Sequence, residues 1–239
     1  MTKIIRLNLA MRQPEDVIPH LGKPIHWKEG RSAKSLADSW FSANDIPREV
    51  RAVLDQAPEY RKATLVDAFL ERCTSLEDGR PTASQTDLLA ILGMREGLAV
   101  MGIEAKVTES FGPLVEEWLD GGRGKEQRLA KLCIELGLKQ AAALSLSYQL
   151  LHRTVAAILE ARRYRTPCAL MVVQSFCPDA TGFSDFAAFV SALGYAAIEP
   201  DSLTASRDLG GFEMRLGWVV SPIHEPRLTG EQQNELKNG

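Results

Sequence analysis

The chain has no long hydrophobic run, no paired cysteines and no strong charge of either sign. Its four cysteines are Cys73, Cys133, Cys168 and Cys177; none forms a CxxC pair and none has a histidine at ligand spacing. That pattern argues against a structural zinc site, and the apolar runs around Cys133 and Cys168 read as core packing. No stretch approaches the ~20 apolar residues that a membrane span needs. The N-terminal segment MTKIIRLNLAMRQPED carries no small-residue cleavage site, so it does not read as a signal peptide. Repeats and low-complexity segments are missing too. A cytoplasmic, reduced protein is the expectation.

What is present is ordinary globular composition: 45% hydrophobic and 25% charged residues over 239 positions. Those proportions exclude a disordered chain, a collagen-like chain and a small disulfide scaffold. The formal net charge is -3, from 28 basic and 31 acidic residues. Taken whole, that balance speaks against a phosphate-rich partner.

Residues 3–10 suggest a short strand, followed by a Pro- and Gly-rich loop that carries His26 and Trp27. Leu36, Trp40 and Phe41 mark one face of a helix over 33–43, and a second helix opens at Pro47 with Asp45 as its cap. A third helix is expected over Arg61–Cys73, from the spacing of Leu65 and Phe69. After the turn signal EDGRPTAS, two apolar runs, Asp87–Leu92 and Leu98–Val107, flank the loop GMREG and read as an antiparallel hairpin. Helices are expected over 125–136, ended by Gly137, and over 139–162 with a stripe from Leu144 to Leu159. CALMVV (168–173) reads as a buried strand, 183–193 as an amphipathic helix and 212–220 as a final strand. The order is that of an α/β protein with a mixed sheet. It divides into a mostly helical N-terminal lobe (1–57), an α/β core (58–222) and a polar tail (223–239).

The hairpin is where chemistry concentrates. A turn centred between Arg95 and Glu96 sets Asp87 opposite Glu104, and alternation puts Lys106 on the face of Glu104. Two carboxylates at that distance repel unless they share a proton or a cation. Oxygen ligands of this kind suit Mg²⁺, which polarises a phosphoryl oxygen and acidifies a bound water. A bare acid-x-Lys triplet recurs by chance, but GLAVMGIEAKV is apolar on both faces, and buried charges need partners.

Asp87, followed by Glu104-Ala105-Lys106 on a buried strand, resembles the PD-(D/E)XK, or restriction-endonuclease-like, nuclease superfamily. The stretches HWKEGRSAKSLADSW, SQTDLLAI, GIEAKVTESFGP, YQLLHRT and QSFCPDATGFSDFAAF resemble an uncharacterised bacterial branch of it, over about residues 25–189. The resemblance implies an αβββαβ core, Mg²⁺ (or Mn²⁺) as cofactor and phosphodiester hydrolysis, in DNA more than RNA. It makes Asp87 and Glu104 the metal-binding acids, with the carbonyl of Ala105 completing the shell, and Lys106 the catalytic lysine. Thr86 stands where the superfamily name has proline. Some branches pair a Gln and a Tyr four residues apart on the following helix; here Gln149 falls near the site and the Tyr role is unfilled. Glu71 is the candidate for the acid that many members carry on the preceding helix. Arg123, Lys125 and Arg153 are the expected substrate contacts, and a homodimer is compatible. The alternative is a nuclease-like fold kept as a catalytically inactive binding or regulatory module.

Charge by segment fits a phosphate partner better than the total. Residues 121–165 carry nine bases against three acids, so the remainder holds the acidic excess. Those bases fall on the two helices after the motif, where a groove that follows a nucleic-acid backbone needs them.

Overall fold

The computed structural model describes residues 10–21 and 27–223. The strand expected over 3–10, the polar tail and His26 lie outside those residues, apart from Ala10, which is in no strand, and Ile223. No helix among the described residues is long and apolar enough to cross a membrane.

After a 3₁₀ turn at Pro14–His20 come α1 (Ser32–Ala43) and α2 (Arg48–Leu54). Leu36, Ala37 and Trp40 are the buried apolar residues of α1; Val50, Val53 and Leu54 are those of α2. Asn44 ends α1 at φ 50, the left-handed cap that Asn tolerates. Asp45 does not cap α2. Pro47 holds the cap position, and the Asp45 carboxylate accepts the Ile46 N–H at 2.7 Å.

The segment expected to be a third helix is a strand. β1 (Thr64–Thr74) pairs antiparallel with β2 (Ser84–Gly93), which pairs antiparallel with β3 (Leu98–Lys106). Leu65 and Phe69 do share helical spacing, but β1 sits at the sheet edge, and pairing with β2 overrides that local signal. The β2–β3 register runs from Leu88 opposite Ile103 to Gly93 opposite Leu98, as the turn at 95–96 requires.

Past β3 lie α3 (Val115–Trp118), α4 (Arg123–Leu136), α5 (Gln140–Ala143) and α6 (Tyr148–Tyr164). The single helix expected over 139–162 is therefore broken at 144–147. The carbonyl of Leu144 accepts the Glu116 N–H at 3.1 Å, that of Leu146 accepts the Val115 N–H at 2.8 Å, and Pro113 supplies the acceptor for Tyr148 N–H at 3.1 Å. Backbone of residues 113–116, at the entry and first turn of α3, thus captures groups that a continuous helix would have paired internally. Gly137 closes α4 at φ 64, as its sequence position suggests.

β4 (Cys168–Ser175) runs parallel to β3 and is buried at all eight positions. After α7 (Phe183–Ala192) come two short strands the sequence did not announce, β5 (Ser202–Leu203) and β6 (Arg207–Leu209). β7 (Phe212–Val220) follows, parallel to β4. The sheet order is β1-β2-β3-β4-β7-β5, with β6 also on β7: a seven-stranded mixed sheet in an α/β protein.

Helices cover both faces. Leu129, Leu151, Ile158, Phe186 and Phe189 from α4, α6 and α7 pack with Val100, Met171 and Trp218 on one side. On the other, Leu36, Trp40, Val50 and Val53 from α1 and α2 pack with Leu88, Met101, Leu170 and Val172. The helices of residues 1–57 share their core with the sheet. Gln174 of β4, fully buried on this second side, accepts from Trp40 Nε1 at 3.0 Å and donates to Ser39 at 3.3 Å and Ser221 at 2.9 Å.

Candidate active site

A polar cluster is built where the C-terminal end of β3 meets the start of β2 and the first turns of α6. Glu104 is its hub. The side chain is 2% exposed, and both oxygens are taken: Oε1 accepts from Lys106 Nζ at 2.9 Å and Gln149 Nε2 at 2.6 Å, Oε2 from Arg153 Nε at 2.5 Å. Lys106 Nζ also donates to Gln149 Oε1 at 3.0 Å and lies 5.0 Å from the Phe111 ring centre. Gln149 and Arg153 are four residues apart on α6, so one helix face delivers both. Burial alone would push the Glu104 carboxyl up; the guanidinium of Arg153 and the ammonium of Lys106 outweigh it and hold the group below the usual carboxylate range.

Asp87 is held differently. Regular β2–β3 pairing stops at Leu88 and Ile103, one pair short of Asp87 and Glu104. Beyond it, the Ala105 N–H bonds to the Asp87 side chain, at 2.8 Å from Oδ2. Among the described residues, Asp87 Oδ1 has no hydrogen bond and one charged neighbour, Arg153 Nη2 at 3.9 Å. Burial and the charge of Glu104 push the Asp87 carboxyl up to about 8, against the pull of Arg153 and Lys106. The two acids thus diverge, one firmly ionised and one that holds its proton, as environments push neighbouring titratable groups apart.

Glu71 reaches the cluster from β1 instead of a helix. It sits between the pairs Leu70–Leu88 and Arg72–Thr86, at the level of Asp87. Its φ is 54, a left-handed conformation that costs a non-glycine residue energy. Its carboxylate accepts from Gln85 Nε2 at 2.6 Å. Burial raises its pKa to about 7, against the Gln85 hydrogen bond and the nearby charge of Arg153.

A further layer ties the cluster to α6. Ser84 Oγ accepts from Arg153 Nη1 at 3.1 Å and meets His152 Nδ1 at 2.9 Å. Burial and the charge of Arg153 depress His152 to about 3, so the imidazole is neutral near pH 7.

The structure brings Asp87, Glu104, Lys106, Gln149 and Arg153 together. Lys125 lies apart, beside a neighbouring cavity, and Arg123 stands exposed at the start of α4 with no ion pair among the described residues. Arg153, expected to contact substrate, spends its guanidinium on Glu104. Six of the nine bases in 121–165 are likewise in ion pairs, including Arg128 with Asp78, Arg162 with Glu135 and Arg163 with Glu160. Four of these six pair with acids outside the segment, at Asp120, Asp78, Glu77 and Glu104. Sequence reasoning missed Ser84 as a site member; His152 shares one polar stripe of α6 with Gln149 and Arg153, and that spacing was its signal.

The donor chemistry fits a hard divalent cation, with one competitor. Asp87 and Glu104 offer carboxylate oxygens from adjacent strands, and Mg²⁺ needs only one or two carboxylates beside water. Asp87 Oδ1 is uncommitted. Glu104 has both oxygens occupied, so it would ligate only as Arg153 or Gln149 gives way. No cluster of three or more His, Cys, Asp or Glu suited to a metal is found among the described residues.

Fold and site together define an α/β protein with a buried, carboxylate-centred polar site at the end of a central strand. A family model described as Domain of unknown function (DUF6946) matches residues 10–223, and the chain belongs to that family. No curated protein and no solved structure matches it.

Proposed function

We propose that the protein is a metal-dependent nuclease of the PD-(D/E)XK type that hydrolyses phosphodiester bonds, in DNA more than RNA. The observation that carries this reading is the buried Glu104–Lys106 pair bridged by Gln149, with Asp87 of the neighbouring hairpin strand held against the intervening Ala105 N–H. The chain order supports it: helices, three antiparallel strands, α6, then a strand parallel to the third, as an αβββαβ core requires.

Asp87 and Glu104, with the carbonyl of Ala105, would hold Mg²⁺ or Mn²⁺. Bound there, the cation supplies Lewis acidity toward a phosphoryl oxygen and lowers the pKa of its water. Lys106 orients the attacking water and offsets charge that develops on the phosphate. Gln149 fixes the Lys106 ammonium, and Arg153 screens the two acids from each other until substrate phosphate draws its guanidinium away. The test is cleavage of labelled single- and double-stranded DNA and RNA with Mg²⁺ or Mn²⁺. Activity lost in Lys106→Ala and Asp87→Asn supports the reading; no cleavage of any substrate by the wild type contradicts it.

One observation favours a second reading, an inactive nuclease-like binding module. The Glu104 carboxylate is saturated by Lys106, Gln149 and Arg153, a self-sufficient arrangement that needs no metal. Calorimetric titration with Mn²⁺ separates the two, because heat that disappears in Asp87→Asn belongs to the nuclease reading alone.

A further inference from the structure

Next to the cluster lies a cavity of about 240 Å³, between the β1–β2 connection and the starts of α4 and α6. Arg80, Thr82, Lys125, Arg128, Tyr148 and His152 supply its polar lining. Three cations face it, and among the described residues no acid lines it. Two of them are already committed. Arg128 pairs with Asp78 and donates to the Thr82 carbonyl at 2.7 Å, while Lys125 pairs with Asp120 at 3.0 Å and donates to the Trp118 carbonyl at 2.6 Å. Arg80 is different. Its Nη1 is buried and has no hydrogen-bond partner among the described residues. A buried guanidinium N–H left without an acceptor costs free energy in the free protein, and an anion in the cavity would recover it by drawing the guanidinium round to face it.

We propose that this cavity is a binding subsite for a phosphate group, with the Arg80 guanidinium as its principal donor and Lys125 beside it. An arginine fork matches phosphate oxygens in a two-point contact, and Lys125 places a second cation beside it. His152 connects the two places. It lines the cavity, bonds Ser84, and Ser84 bonds the Arg153 that holds Glu104. The source of the phosphate rests on the nuclease reading: it is a phosphate of the nucleic-acid strand next to the one cleaved. That phosphate is either an internal diester or a terminal monoester.

The test uses the full chain without divalent metal, so that cleavage does not interfere. Binding of a labelled single-stranded deoxyoligonucleotide is followed by anisotropy, with a 5′-phosphate, with a 5′-hydroxyl, and with inorganic phosphate as competitor. Arg80→Gln is expected to weaken binding about tenfold and to lower the salt slope by about one, with an unchanged melting temperature. Lys125→Gln is a second, milder variant. If the 5′-phosphate tightens wild-type binding and the gain vanishes in Arg80→Gln, the ligand is a terminal phosphate. If both oligonucleotides weaken alike, it is an internal diester. Wild-type affinity in both variants overturns the subsite. Phosphate competition through Arg80 without any metal-dependent cleavage keeps the subsite and removes the nuclease. Cleavage with unchanged KM in Arg80→Gln does the reverse.

Discussion

Glu104 shows how a buried polar cluster is also a structural knot. The sequence pattern alone suggests that replacing it would silence chemistry at little cost to stability. Its surroundings argue otherwise, since Arg153 and Lys106 would be left buried without their anion. Glu104→Ala is therefore expected to destabilise by about 3–5 kcal/mol, the range for breaking a buried ion pair from one side; urea unfolding measures it. Asp87 should behave in the opposite way. Its folded pKa, near 8, lies above the unfolded value, so the native state binds the extra proton and stability falls as pH rises toward 8. Glu71, raised to about 7, adds to the same fall. His152, depressed to about 3, adds a loss of stability as pH drops below its unfolded value of ~6.5. The window from about 6.5 to 8 thus isolates the two acids. There, Asp87→Asn should flatten the slope and be more stable than the wild type at pH 8 by about 1–3 kcal/mol. A wild-type stability that stays level from pH 6.5 to 8 would refute this account of Asp87.

At the scale of elements, legibility follows how local the determining contacts are. The hairpin was readable to its register because its turn is short and Gly97 bounds it. Asp87, Glu104 and Lys106 were therefore readable together. β1 was not, because an edge strand takes its identity from the partner it pairs with, and Leu65 and Phe69 carry the spacing of a helix. The break before α6 was hidden for a similar reason: the backbone groups that cause it come from 113–116, some thirty positions upstream of those they capture. Arg153 was readable as a site residue but not as the partner of Glu104, since helix periodicity says which face a side chain is on and nothing of what it meets. Across the sheet, Gln174 clips α1 to β4 through Trp40 and Ser39. Gln174→Leu would leave those buried groups unpaired, and a loss of about 2–4 kcal/mol in thermal or chemical unfolding is expected.

At the scale of the whole molecule, a mixed sheet with helices on both faces places its polar site where the central strands end. β3 and β4 are buried on both sides, which gives a rigid base; the exposed edge strand β1 brings Glu71 to that base from the periphery. Native-state hydrogen exchange should show β3 and β4 among the last segments to open and β1 earlier. The net charge of -3 conceals a basic segment, 121–165, in which six of the nine bases are held in ion pairs, so a nucleic-acid partner would have to be gripped at specific points, not along a free basic stripe. The measurement that tests the central claim most directly is Mn²⁺-dependent cleavage of labelled DNA by the wild type beside Asp87→Asn and Lys106→Ala. The account predicts cleavage by the wild type that needs the metal and is lost in both variants. A wild type that binds no metal and cuts nothing, or variants that cut as well as it does, would contradict it.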